Sequence, residues 1–96
     1  MTLRQLVYDS CPTIMATSIT VDRIACESHV RNALRNITGV LAYDGETFMQ
    51  VLEGPSDAVY SLMNSIERDQ RHSNLTILVD EIIDRRQFGR WFMAYL

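Results

Sequence analysis

Apolar and polar positions alternate along "LRQLVYD" (residues 3–9), putting Arg4, Leu6 and Tyr8 on one side and Leu3, Gln5 and Val7 on the other. That two-residue period predicts a first strand, followed by a loop with Pro12. Thr20 suits the N-cap of a helix over about residues 21–35, with Asp22 in its first turn. "ITGVLAY" (37–43) and "ETFMQVLE" (46–53) flank Asp44-Gly45, the strongest short hairpin signal in the chain. Gly54-Pro55 ends the second of these strands and opens a helix over about 56–69, where Ala58, Val59, Leu62, Met63 and Ile66 recur with an amphipathic period. "LTILVDEII" (75–83) predicts another strand and "WFMAYL" (91–96) a last one.

This order predicts an α+β domain of ferredoxin-like βαββαββ type, a mixed sheet with two helices packed on one face. The first and third strands are then central neighbours, with Tyr8 and Gln50 side by side under the helices. Phe48, Gln50 and Leu52 share a face of the third strand. A buried amide without partners costs about 1–3 kcal/mol, so something must meet Gln50. On the first helix, Ile24, Ser28, Arg31, Asn32 and Arg35 form one stripe, while Val21, Ala25 and Leu34 offer a neighbouring apolar face to the sheet. The stripe suits a flat ligand with apolar faces, a polar edge and a charged tail. On spacing alone a solvated helix face is the favoured reading, and Asn32, on the border between stripes, is the residue it explains least well.

Composition narrows the classes. With 96 residues, 47% hydrophobic and 22% charged, the chain suits one globular domain over 1–96. A net charge of -3 with no arginine- or lysine-rich run argues against nucleic acid. Cys11 and Cys26 are too few and too far apart for a disulfide framework or a zinc site, and read as reduced thiols. Without a signal-like N-terminus or a bilayer-length apolar run, the expectation is a cytoplasmic domain with no membrane contact. His29 and His72 do not pair with the cysteines for nucleophilic or metal chemistry. Glu53, before Gly54-Pro55, reads as a turn cap rather than an acid. None of these residues forms a convincing catalytic group by its local context.

Five segments occur in a telling order: "LVYDS" with Tyr8, "RNALRNITGVLAY" with Asn32 and Ile37-Thr38-Gly39, "FMQVLEG" with Gln50, "IERDQRH" (66–72), and "RRQFGRWFM" (85–93) with Trp91 and Met93. Together they resemble a BLUF domain, a blue-light sensor using flavin, from about residue 4 to 93. The resemblance implies non-covalent FAD, with FMN or riboflavin as alternatives, held between the two helices. It implies Tyr8 and Gln50 as the photoactive pair, Asn32 at the flavin edge, Ser28, Ile24 and Ile66 around the ring, and Trp91 and Met93 in variable poses. Phe48, beside Gln50, joins this set, and Arg31 and Arg35 are candidates for the polar tail from charge and spacing. Asn36 stands where glycine or another polar residue is common, and Ala42 is smaller than the residue often found there.

The implied mechanism is light-driven electron and proton transfer from Tyr8 to the flavin, leaving Gln50 rotated or tautomerised and the absorption red-shifted. The implied partners are the chromophore and a downstream effector domain or protein. A homo-oligomer can form through the exposed sheet face, expected to carry Gln5, Val7, Met49, Val51 and Phe92. Two rivals stand beside this. An acylphosphatase-like hydrolase needs a backbone-amide cradle for phosphate, and no glycine-rich loop lies near the first strand. A small-metabolite-binding regulatory domain is the other; colour separates both from a flavin sensor.

Overall fold

In the computed structural model the described residues are 2–12, 18–69, 72–89 and 94–95, with backbone alone at 12, 18–25, 72 and 94–95. The elements are β1 (Leu3–Pro12), α1 (Ser18–Arg35), β2 (Thr38–Tyr43), β3 (Phe48–Pro55), α2 (Ser56–Glu67), β4 (His72–Ile83) and β5 (Ala94–Tyr95). They form one sheet in the order β4-β1-β3-β2-β5. The first four strands in that order pair antiparallel, and β5 adds to β2 in parallel. This is the expected ferredoxin-like α+β arrangement with a mixed sheet.

The core follows from the alternation. Leu6 and Tyr8 of β1, Leu41 of β2, and Phe48 and Leu52 of β3 face one way, and Val59, Leu62, Met63 and Ile66 of α2 cover them. Pro55, at φ -55, sets up the start of α2. The helix ends at Glu67, two residues before the predicted 69. Arg4 fastens the other end of β1: its guanidinium lies 4.7 Å over the Tyr60 ring and 2.6 Å from Asp80.

Several boundaries differ from the sequence pattern for local reasons. α1 begins at Ser18, so Thr20 lies inside it rather than at its cap; no glycine or proline separates the two. It ends at Arg35, after which Asn36 adopts φ 58 while the Ile37 N–H donates to the Asn32 carbonyl at 3.0 Å. That closure wants glycine or asparagine in the left-handed region, which explains the residue before Ile-Thr-Gly. The hairpin is looser than a two-residue turn. Asp44 Oδ1 accepts from the Glu46 and Thr47 amides at 2.9 and 2.8 Å, so β3 starts at Phe48. β1 continues through Pro12 because β4 is long enough to pair with it. The β1–β4 register shifts between Val7 and Tyr8 and again between Asp9 and Cys11, near Asn74 at φ 52; such bulges re-aim strands beside functional sites.

The opposite sheet face corrects one expectation. Met49 is exposed and Val7 and Val51 are half-buried, but Gln5 is buried. Residues 84–89 fold against that end of the sheet, and Gln5 donates to Glu53 there at 2.8 Å. Phe92 lies outside the described residues.

Gly39 of β2 lies tight against β3: a Cβ there would meet the Val51 carbonyl oxygen at 1.8 Å. Gly39→Ala is therefore expected to destabilise the domain by about 3 kcal/mol, the upper end for overpacking, read as a lowered urea midpoint. An unchanged midpoint would mean that the two strands separate freely at this point.

Candidate functional site

The central strand pair builds the site. In the β1–β3 register Tyr8 lies directly opposite Gln50, and Ser10 opposite Phe48. Tyr8 is 4% exposed and Gln50 3%, and the phenol O–H donates to Gln50 Oε1. The partner that a buried glutamine requires is thus a tyrosine on the next strand. With Oε1 committed to the phenol, the donating Nε2 end of the amide is turned away from Tyr8. Burial pushes the Tyr8 phenol well above its ordinary value of 10.0; Arg31 pulls it down and Asp69 adds to the rise.

Helix α1 brings polar groups to the same place. Ser28 and Asn32, one turn apart, are its buried positions among residues 26–35, whereas Val30 and Leu34 are exposed. Leu34, expected against the sheet, is 84% exposed. Two positions along a helix with 3.6 residues per turn put it about 200° round from Asn32. This half of α1 is therefore inside out, with hydroxyl and amide inward and aliphatics outward. Arg31 spans the edge, donating to Ser28 Oγ at 3.3 Å and to Asn32 Oδ1 at 3.4 Å.

Between α1, α2 and the sheet lies a pocket that is partly open to solvent. Leu41, Phe48 and Ile66 supply apolar wall, and Tyr8, Ser10, Ser28, Arg31 and Gln50 supply polar edges, with Glu27 and Asp69 also lining it. Of the residues picked from the sequence, Tyr8, Ser28, Arg31, Phe48, Gln50 and Ile66 meet here. Asn32 is fully buried beside it without lining it. Arg35 borders a separate outer groove with Cys26, Val30 and Leu34. The side chain of Ile24, and Trp91 and Met93 altogether, lie outside the described residues.

Ser10, Leu41, Glu27 and Asp69 were not singled out in advance. The first could have been: it follows Tyr8 by two positions and so shares its face. Of the acids, Glu27 lies within α1 and Asp69 just past the end of α2, and no local pattern marks them.

The description "Sensors of blue-light using FAD" (BLUF) matches residues 3–94, nearly the whole chain. The chain belongs to the BLUF family. The photoactivated adenylate cyclase subunit beta of Euglena longa is 35% identical over 94 residues, covering 97% of this chain and 11% of that protein. Among solved structures, a bacterial light-regulated adenylyl cyclase superposes with a TM-score of 0.95 at 36% identity, covering 98% of this chain and 28% of that one. The dark state of the BLUF protein BlrB gives 0.94 at 34% identity, covering 99% and 72%. This BLUF domain is accordingly a blue-light sensor with flavin as its chromophore. Its pocket fits that group, since apolar walls with an amide, two serine hydroxyls and a guanidinium around them suit a flat ring edged with donors and acceptors. Among the described residues no helix is long and apolar enough to cross a membrane, and no cluster of histidine, cysteine or acidic residues could hold a metal.

Proposed function

We propose that this BLUF domain senses blue light through the Tyr8–Gln50 pair, with Ser28, Asn32, Arg31, Phe48 and Ile66, and Ile24 of α1, holding the chromophore. The observation that carries this is the buried phenol-to-amide hydrogen bond at the head of a pocket with apolar walls and polar edges. Bound flavin supplies absorption in the blue and, once excited, a one-electron oxidant. Tyr8 is the group placed to give up the electron. Its proton has a path along the existing bond to Gln50 Oε1. Being neutral throughout the physiological range, the phenol always has that proton to give. Gln50 carries an acceptor and two donors on one rotatable amide, so rotation or tautomerisation reverses what it presents on each side. When the electron and proton return to Tyr8, the reversed amide persists as the lit state and reverts thermally.

The amide alone is too weak a lever. One neutral hydrogen bond is worth about 0.5–1.5 kcal/mol net, whereas near-complete switching of a two-state element needs about 5.5 kcal/mol. Packing must amplify it, and Trp91 and Met93, just ahead of β5, are the proposed adjustable side chains. The chain itself performs no chemistry on a substrate in this reading. Its output is a separate effector domain or partner protein, as in the photoactivated cyclases that it resembles. FAD is the chromophore by family, and FMN is named for one BLUF relative from Klebsiella pneumoniae.

A dark-minus-light absorption spectrum of the flavin-loaded protein tests the reading. A red shift that appears under blue light and decays in the dark is expected. A yellow protein whose spectrum is unmoved by light would overturn it.

A further inference from the structure

The photochemical pocket leaves one buried charge unused. Glu53, two strand positions past Val51, is 0% exposed. Its Oε1 accepts from the Phe88 amide at 2.7 Å, and its Oε2 accepts from the Gln87 amide at 3.1 Å and Gln5 Nε2 at 2.8 Å. Arg86, from the same segment, answers in the other direction. Its Nη1 donates to Thr38 Oγ1 at 2.9 Å and to the Glu53 carbonyl at 3.0 Å, and its Nη2 to the Asn36 carbonyl at 2.8 Å. A turn cap would bond its own neighbourhood; this carboxylate instead reaches backbone amides 34 and 35 residues away.

We infer that Glu53 and Arg86 form a two-way clasp that holds residues 86–88 against β2 and β3 and thereby keeps β5 in register on the sheet. Bonds to an ionised acceptor are shorter and stronger than neutral ones, and a carboxylate removed from water is tolerated where such donors meet it. Residues 84–89 belong to no strand, so side-chain bonds do the work that a ladder does elsewhere. Among the described residues β5 pairs with β2 through Val40–Ala94 and Leu41–Tyr95, and the clasp joins the chain ahead of it to β2 and β3.

The position of the clasp matters as well. Glu53 is three residues from Gln50 on β3, and Gln5 three from Tyr8 on β1. An odd spacing puts each on the opposite sheet face. The clasp thus grips, from outside, the two strands whose inner faces carry the photoactive pair. Glu53 and Arg86 are positioning residues, since neither lines the pocket.

Amide hydrogen exchange on the flavin-loaded protein in the dark tests this. Glu53→Gln has one acceptor oxygen and sets an N–H against an N–H. Arg86→Lys keeps the charge and loses the fork. Exchange at the Gln87 and Phe88 amides in Glu53→Gln, and at β5 in both variants, is expected to rise about tenfold or more. The β1 and β3 amides and the dark absorption spectrum should stay as they are. Unchanged β5 exchange in both variants would overturn the clasp, as would an increase shared equally by β1 and β3. Should Glu53→Gln fail to fold, Arg86→Lys decides alone, because that side chain is half-exposed and outside the core. The dark measurement is independent of photochemistry: failure of the light response would leave the clasp standing, and failure of the clasp would leave the sensor standing.

Discussion

Gln50→Leu is expected to leave the flavin bound and to eliminate the light-induced red shift. Leucine is close in size to glutamine, so the space between Phe48 and Leu52 stays filled and the pocket wall keeps its shape. What disappears is the carboxamide, the group that accepts from Tyr8 and can reverse its donors and acceptors. The Tyr8 hydroxyl loses its acceptor, at a cost of about 1–3 kcal/mol if nothing replaces it. Stability should therefore fall modestly while the optical response vanishes. Absorption spectra before and after illumination, with flavin content measured beside them, check the outcome. A red shift that survives in this variant removes Gln50 from the mechanism.

Tyr8→Phe is expected to abolish the same signal by a different route. The ring remains in the core beside Leu6 and Phe48, but no proton and no easily oxidised phenol remain. A pH series separates this loss from a packing defect. Burial raises the folded phenol above its ordinary 10.0, so its contribution to stability is complete below that pH. Above it the unfolded chain loses the proton while the folded one keeps it, and stability falls as pH rises. The urea midpoint of the native protein should thus drop between about pH 8 and about pH 11 by more than that of Tyr8→Phe. Over the same range up to pH 10.0 the amplitude of the native light response should be flat, because Tyr8 does not ionise. Equal midpoint losses in the two proteins would mean that Tyr8 ionises in the folded state as readily as in the unfolded one.

Most of the architecture was legible because it rests on periods. The alternation at residues 3–9 and 47–53 and the spacing of Val59, Leu62, Met63 and Ile66 reappear as β1, β3 and α2 with the same residues inside. Boundaries were less legible where side chains bend the backbone. Asp44 lengthens the hairpin loop, and Asn36 and Asn74 take left-handed conformations that a one-dimensional pattern does not announce. Within the site, Tyr8 and Gln50 could be paired from topology, since strand order decides their adjacency. Arg35 could not be separated from Arg31 by spacing, and the structure places it on the outer groove. Glu53 was read from its neighbours Gly54 and Pro55, whereas its bonding partners come from the far end of the chain. Long-range polar contacts of this kind leave no local trace, and the same holds for the burial of Gln5.

The inverted second half of α1 carries a consequence for biosynthesis. Residues 26–35, which turn Ser28 and Asn32 inward and Leu34 outward, add little oily adhesion of their own to the fold. Whatever molecule fills the gap beneath them supplies part of the missing glue, and binding to the native state alone raises stability by mass action. Chromophore supply and protein abundance are therefore coupled. A cell short of riboflavin would carry fewer intact copies of the sensor, rather than the same number gone blind.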